Sequence, residues 1–323
     1  MDGYGGISRG KEQVTVRASR RLSRDPGATT VGPLRYEVVE PLRTVRFALD
    51  ANDCQPIAFE WEFHAVVPPF LEERTHTRQG VRVVADLVRY HQVGTATGWA
   101  EVDGRRIELD GASWVSTRDH SWGVRQDVGP PEPDAVRRQP PPEVSYLMLW
   151  CPLAMRRPDG TWYGLFLHLQ QLHAGGTVRR TVMGGVEHTD GRMDPWVDLD
   201  PDLRFDPTTR RLLGGTVLAT TGDGTERPLT LRAVSDTGFH LGAGLYFGFD
   251  GHYHGERRGE LHVDGERIPD CTDPTTARRL HQLRDTVVHV VDPVGGGEGW
   301  GNCQPIVTGA FPRFGLPADG SFL

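Results

Sequence analysis

The segment "IAFEWEFHAVV", Ile57 to Val67, carries the clearest pattern in the chain. Ile57, Phe59, Trp61, Phe63 and Ala65 alternate with Ala58, Glu60, Glu62, His64 and Val66. A period of two sends successive side chains to opposite faces, so this segment is predicted to be a strand with one apolar face. "RTVRFAL", "RVVADLVRYH", "SYLMLWC", "WYGLFLHLQ", "PLTLRAV" and "DTVVHVV" are further strand-like runs, rich in β-branched and aromatic residues. Asp-Gly pairs at Asp103–Gly104, Asp110–Gly111, Asp159–Gly160 and Asp264–Gly265 mark turns between them. Helical periodicity is nearly absent. The best helix candidate is "DPTTARRLHQLRD", Asp273 to Asp285, which opens on Asp-Pro and predicts a short helix near residues 274–284.

Short strands must close or stack, because open edges invite pairing with other chains. The 323 residues allow two domains or one large β-domain, and Gly 40 and Pro 24 favour many turns over long helices. The pattern predicts an all-β chain of two antiparallel β-barrels in tandem, able to hold one small apolar ligand. The polar stretch "EHTDGRMDPWVDLDPDLRFDPTTRR" places the boundary near residue 190, giving domains 1–190 and 191–323. The Pro-rich "VGPPEPDAVRRQPPPE", Val128 to Glu143, reads as a long loop at the mouth of the first barrel. "GWAEVDGRRI" (Gly98–Ile107) and "GELHVDGERI" (Gly259–Ile268) share Gly, Val, Asp, Gly, Arg and Ile, as a duplicated hairpin or a common hairpin turn would.

Charge and composition narrow the function. A formal net charge of −7 argues against a nucleic-acid or anionic-membrane surface. No phosphate-binding glycine loop stands in the right context, so no nucleotide cofactor is expected. The opening "MDGYGGISRGKEQ" lacks the apolar core of a signal peptide, and no run is long enough to span a membrane, so a cytoplasmic protein is expected. Cys54, Cys151, Cys271 and Cys303 have no metal-ligand spacing and read as buried thiols. No serine-nucleophile elbow or Cys–His signature is present.

The hexapeptide "RDHSWG", Arg118 to Gly123, concentrates the candidate chemistry. As a strand it sends Arg118, His120 and Trp122 to one face and Asp119 and Ser121 to the other. His120 can relay a proton or hold a water, and the Trp122 indole can stabilise a developing cation. The same pattern also fits a strand end folded back on itself. Glu60, Glu62 and His64 share a face. Outward they are solvated charges; inward, Glu60 and Glu62 would be carboxylates of raised pKa lining a pocket. "GHYHGE" places His252 and His254 two apart, a spacing that suits a metal. The glycine and glutamate positions of a cupin are missed, so no metal is assigned and both histidines are kept as pocket candidates.

"GTATGWAEVDGRRIELDGASWVSTRDHSWGVR", followed by a strand ending "DGTWYGLFLHL", resembles the first barrel of the carotenoid 1,2-hydratase (hydroxyneurosporene synthase) family. That family belongs to a superfamily of paired lipocalin-like barrels that includes fungal Diels–Alderase-type cyclases. The chain is also similar to bacterial two-domain proteins with the same R-D-H-S-W-G signature. "GLYFGFDGHYHGERRGELHVDGERI" is similar to their C-terminal domain. The resemblance implies two lipocalin-like barrels, apolar and often isoprenoid ligands, and alkene protonation without a cofactor. It carries a His-x-Trp pair onto His120 and Trp122. Its Tyr-x-Asp pair maps onto Tyr146 and Met148, so the aspartic acid is missing and the proton donor is open. Its usual opening strands have only a short, irregular counterpart here, which would fit an N-terminally truncated first barrel.

The expectation is therefore a cofactor-independent enzyme that hydrates, isomerises or cyclises an apolar isoprenoid, terpenoid or polyketide-like substrate. His120, Trp122, Asp119 and Tyr146 are the catalytic candidates. Arg118, Glu60, Glu62, Trp61, His252 and His254 are the substrate-binding candidates. A non-catalytic carrier of lipids or terpenoids is the alternative, and a metal-dependent barrel enzyme the third reading. The oligomeric state is not legible.

Overall fold

A computed structural model describes residues 1–25, 27–125, 128–130 and 143–322. Most of the Pro-rich segment expected at the barrel mouth lies outside the described residues. The fold is all-β. The first body contains β1 (Asp2–Arg9), β2 (Glu12–Arg20), β3 (Leu34–Glu40), β4 (Thr44–Leu49), β5 (Ile57–Ala65), β6 (Phe70–Leu71), β7 (Thr75–Gln79), β8 (Arg82–Val102), β9 (Arg105–Leu109) and β10 (Val115–Val124). There follow β11 (Ser145–Arg156), β12 (Trp162–Ala174), β13 (Thr177–Glu187), β14 (Met193–Phe205), β15 (Leu212–Thr221) and β16 (Glu226–Ala233). The chain ends with β17 (Phe239–His240), a 3-10 turn at Leu241–Gly244, β18 (Leu261–Ile268), α1 (Pro274–Arg279), β19 (Arg284–Asp292), β20 (Gly297–Thr308) and a last 3-10 turn at Pro312–Phe314.

The second body is a closed antiparallel barrel. Its strands run β16-β15-β14-β13-β12-β11-β20-β19, and pairing of β19 with β16 completes the ring. Alternation fills the lumen. Leu147, Leu149, Leu153 and Met155 of β11 and Leu165, Leu167 and Leu169 of β12 point inward, against Leu199, Val217, Leu229, Val288 and Val290. The inner space is thus an apolar core. Even-numbered residues of β11, β12 and β20 face outward, toward the first body.

The first body is not a ring of hydrogen-bonded strands among the described residues. One sheet has the order β10-β8-β5-β4-β3, with β6, β7 and β9 also on β8; a second is β1-β2-β18. They pack face to face around Val14, Val16, Leu34, Leu49, Ile57, Phe59 and Val102.

Four expectations change. The opening residues form a regular hairpin, β1 with β2, paired over its whole length. Residue 190 lies in the turn joining β13 and β14, inside the closed barrel, so a division there does not separate two bodies. The barrel strands occupy 145–308, and the chain makes an excursion between β16 and β19 in which β18 returns to pair with β2. The two VDG segments also differ. Asp103–Gly104 makes the β8–β9 turn, whereas Asp264–Gly265 lies within β18 opposite Arg17 and Val16. There Asp264 accepts from Arg17 Nε at 2.7 Å. The helix is shorter than predicted: α1 stops at Arg279, and His281 turns the chain left-handed (φ 49°) into β19. Asp273 caps it by accepting from the Thr276 N–H at 2.9 Å. The four cysteines are free thiols, three of them buried.

Candidate functional site

The RDHSWG residues lie in β10, paired with β8: Arg118 opposite Gln92, Asp119 opposite His91, His120 opposite Tyr90 and Trp122 opposite Val88. Gly123 closes the motif because β10 and β8 run close there. Its φ is +123°, and a Cβ would stand 2.0 Å from the Asp86 carbonyl oxygen.

The two faces of β10 meet different surroundings. Arg118, His120 and Trp122 share the face of Phe63 and line the open end of the first body. Arg118 Nη2 donates to the Tyr90 hydroxyl at 2.5 Å, and Nη1 reaches that of Tyr36 at 3.4 Å. Its guanidinium lies over the Phe63 and Tyr90 rings, 5.6 and 5.2 Å from their centroids. His120 stacks on Tyr90 at 5.5 Å and sits 5.8 Å from Trp122, whose side is half-exposed.

Thr117, Asp119 and Ser121 face the outside of the barrel. Thr117 Oγ1 donates to Asn302 Oδ1 at 2.5 Å, tying β10 to β20. Beyond it stands Asp285 at the start of β19, accepting from Asn302 Nδ2 at 3.0 Å and Gln304 Nε2 at 2.5 Å. Burial raises the Asp285 pKa; the two amides pull it down, the Asp119 charge pushes it up, and the net shift is upward. Tyr4 and Tyr246 meet edge to face at 6.1 Å. Burial raises the pKa of both phenols, and the charges of Asp119 and Asp285 add to it. Arg125 lies over the Tyr246 ring at 5.0 Å, and His254 stacks on it at 5.2 Å. Tyr146 and Met148 join Tyr4, Tyr246, Phe239 and Phe247 in one apolar cluster on Leu241, Leu283 and Ile306. Burial also raises Tyr146. Tyr4 fits because Gly244 has no side chain: a Cβ there would stand 2.6 Å from its ring.

Tyr4, Tyr246 and Asp285 stand between the bodies, each half-buried. The arrangement offers a carboxyl biased toward its neutral form, a second carboxylate, three phenols and an apolar floor.

The bodies are also joined by buried charge. Arg89 donates to both oxygens of Glu72 at 2.9 and 2.7 Å, and Trp150 Nε1 donates to the same carboxylate at 3.0 Å. His91 lies 2.7 Å from Glu187 and 3.6 Å from Glu72. Burial would raise Glu72, but hydrogen bonds from His91, Arg89 and Trp150 outweigh it and hold the carboxyl at about 2. Burial would lower His91, but Glu187 and Glu72 prevail and raise it. His168, buried without such a partner, falls to about 4.

The structure brings Tyr146 into the cluster of Tyr4 and Tyr246 and packs His254 on Tyr246, with Asp119 exposed on the barrel side of β10. It places Arg118, His120 and Trp122 on the opposite face of β10. Glu60 and Glu62 lie on the outer surface of the sheet, on Arg35 at 3.3 Å and Arg46 at 2.6 Å, away from both places. Of the two orientations open to these carboxylates the outward one is taken, because the apolar Phe59 and Phe63 occupy the buried face of β5, so neither lines a pocket. Trp61 shares that inner face, edge to face with Phe47 at 6.1 Å. His252 and His254 are in a turn rather than a strand. His252 is exposed, 3.2 Å from Glu256, while His254 packs on Tyr246. Among the described residues no group of three His, Cys, Asp or Glu side chains could hold a metal ion. Also among them, no helix is long and apolar enough to cross a membrane.

Sequence reasoning missed Asp285, Tyr4, Tyr246 and Arg125. Asp285 heads the strand-like run "DTVVHVV", and an isolated aspartate at a strand start is a common feature that singles nothing out.

A model of a family of unknown function, DUF8625, matches residues 1–315. The chain belongs to that family. No curated protein sequence matches this DUF8625 chain. Among solved structures, it is similar to kievitone hydratase from Nectria haematococca, with a TM-score of 0.45 and 11% identity over 94% of this chain and 82% of the other.

Proposed function

We propose that this protein is a cofactor-independent enzyme that transfers a proton to an alkene carbon of an apolar substrate held between the two bodies. Hydration, isomerisation or cyclisation follows from how the resulting cation is quenched. The observation that carries this reading is Asp285: a half-buried carboxyl held by the Asn302 and Gln304 amides, raised in pKa by burial with the Asp119 charge adding to it, whose own charge acts on the Tyr4 and Tyr246 phenols. Asp285 in its neutral form gives its proton to one alkene carbon. The faces of Tyr4 and Tyr246 stabilise the positive charge left on the other. For hydration, water adds to that carbon and loses a proton to Asp119; for isomerisation, Asp119 takes a proton from the neighbouring carbon. Tyr146 is a second donor candidate, and Met148 and Ile306 hold the hydrocarbon. In this reading the missing acid of the Tyr146–Met148 strand is supplied by β19, and His120 and Trp122 do not handle the proton. The resemblance of the RDHSWG segment to carotenoid 1,2-hydratases supports the reaction class, and isoprenoids are the first substrates to test.

Incubation with apolar isoprenoid and polyketide-like alkenes in heavy water tests all three outcomes, because each leaves solvent deuterium on carbon. Wild-type protein is expected to incorporate deuterium. Asp285→Asn is expected to slow incorporation by ~10²–10⁴ while ligand still binds. Incorporation should also decline as pH rises through the elevated Asp285 pKa, where the acid is lost. Undiminished incorporation by Asp285→Asn overturns the assignment. Recovery of bound, unchanged ligand with no deuterium from wild type favours the carrier.

A further inference from the structure

The other face of β10 has a charged donor and no carboxylate to meet it. Arg118 spends two of its N–H groups on the Tyr90 and Tyr36 hydroxyl oxygens. Those oxygens accept, so each phenol keeps its own O–H to give, and neither gives it to a described residue. The Arg118 Nε–H is enclosed with no acceptor at all. No carboxylate among the described residues pairs with this guanidinium. The carboxylates on the nearby strand β5, Glu60 and Glu62, are turned to the outer surface and occupied by Arg35 and Arg46. Rings surround the charge: Phe63 and Tyr90 lie against it, and His120 and Trp122 continue the wall toward solvent. A guanidinium stays charged at any physiological pH. Drawn partly out of water without a counter-charge, it favours an anion.

We propose that the first body holds a second ligand site, which binds the carboxylate of an aromatic molecule. Arg118 and the free O–H groups of Tyr36 and Tyr90 take the carboxylate, whose planar pair of oxygens matches the guanidinium fork. The half-exposed Trp122 and the stacked His120 and Tyr90 take the ring system. This site is separate from the space around Asp285 and does not rest on the reaction assigned there.

Calorimetric titration of the full chain with naphthoate, and with the neutral naphthylmethanol of similar shape, tests it. Naphthoate is expected to bind about tenfold or more tightly than the alcohol. Arg118→Gln should bring naphthoate down to the alcohol's affinity. Tyr90→Phe, which keeps the ring and removes one donor, should weaken naphthoate by about three- to tenfold and leave the alcohol unchanged. Asp285→Asn should leave both unchanged. Absence of naphthoate binding, equal affinity for acid and alcohol, or naphthoate binding insensitive to Arg118→Gln would overturn the proposal. So would a loss of naphthoate binding in Asp285→Asn, which would locate the acid between the bodies instead. If Arg118→Gln does not fold, Tyr90→Phe and Arg118→Lys decide: both should bind naphthoate more weakly than wild type, and unchanged affinity in both overturns the site.

Discussion

The inside and the outside of the closed barrel divide the labour of this molecule. Inside, the lumen is filled chiefly by leucines and valines, with Met155, Tyr163, Trp196, Phe205, Cys151 and Cys303 among them. Outside, on the face turned to the first body, the same strands present Tyr146, Met148, Trp150, His168, Asn302 and Gln304. Closure explains the difference. A ring of hydrogen-bonded strands leaves no edge, and at eight strands its interior is just wide enough for side chains to fill. Most polar side chains of the barrel stand on its outer face, where a second body can cover them, although Thr286 and Asp292 are buried along β19 and Asp292 accepts from the Tyr163 hydroxyl. Asp285, Tyr4 and Tyr246 gather at the seam between the bodies and not in the barrel lumen. An alternating sequence pattern locates strands, but it does not say which side of a closed sheet a second body will cover.

Breaking the seam should cost most. Glu72→Gln leaves Arg89 and His91 short of a buried counter-charge, and an expected loss of ~3–5 kcal/mol should appear in urea denaturation. If the loss is below 1 kcal/mol, on the order expected of an exposed pair, the network does not hold the bodies together. Leu153→Ala opens a void in the lumen and should cost ~2–5 kcal/mol, while the Asp285 chemistry per folded molecule is unchanged. A change in turnover at full folding would mean that the lumen and the seam are coupled.

The seam should also be sensitive to acid, and the lumen should not. His168 has a folded pKa near 4 against an ordinary 6.5, so the unfolded chain takes up a proton that the native state refuses. Stability then falls as pH drops from about 6.5 to about 4, by about 3 kcal/mol for this group. Glu72, depressed from 4.5 to about 2, contributes stability that is present above pH 4.5 and is lost on acidification through that interval. His91 has the opposite sign: its raised pKa adds stability below 6.5 that is lost as pH rises through the folded value. Denaturation curves between neutral and mildly acid pH should show the first slope, and His168→Gln should flatten it. An unchanged slope in that variant would assign acid sensitivity elsewhere. The smallest effect is expected at the outer surface. Glu62→Gln removes half of an exposed pair with Arg46 and should shift stability by no more than ~0.5 kcal/mol without altering ligand binding. A large loss of binding would return Glu62 to the site.

Much of the fold was legible, because alternation is a local property. Phe59, Trp61 and Phe63 do take the inner face of β5, and Glu60 and Glu62 the outer one. The motif Arg118–Gly123 does form a strand with its side chains on two faces. Its roles were not legible. The face carrying Asp119 gains meaning only because Asp285, Tyr4 and Tyr246 arrive from the far ends of the chain, and none of the three stands in a distinctive context.

That this protein is all-β, where most strands run, and which side chains share a face are all local matters, since a two-residue period and Asp-Gly turns are written in neighbouring residues. The crossing of β18 to β2, the closure of the ring between β16 and β19, and the tie of Thr117 on β10 to Asn302 beside Asp285 arise only in the assembled fold. Those outcomes depend on which edges are left to pair and which polar faces must be covered together, and no single segment carries that information.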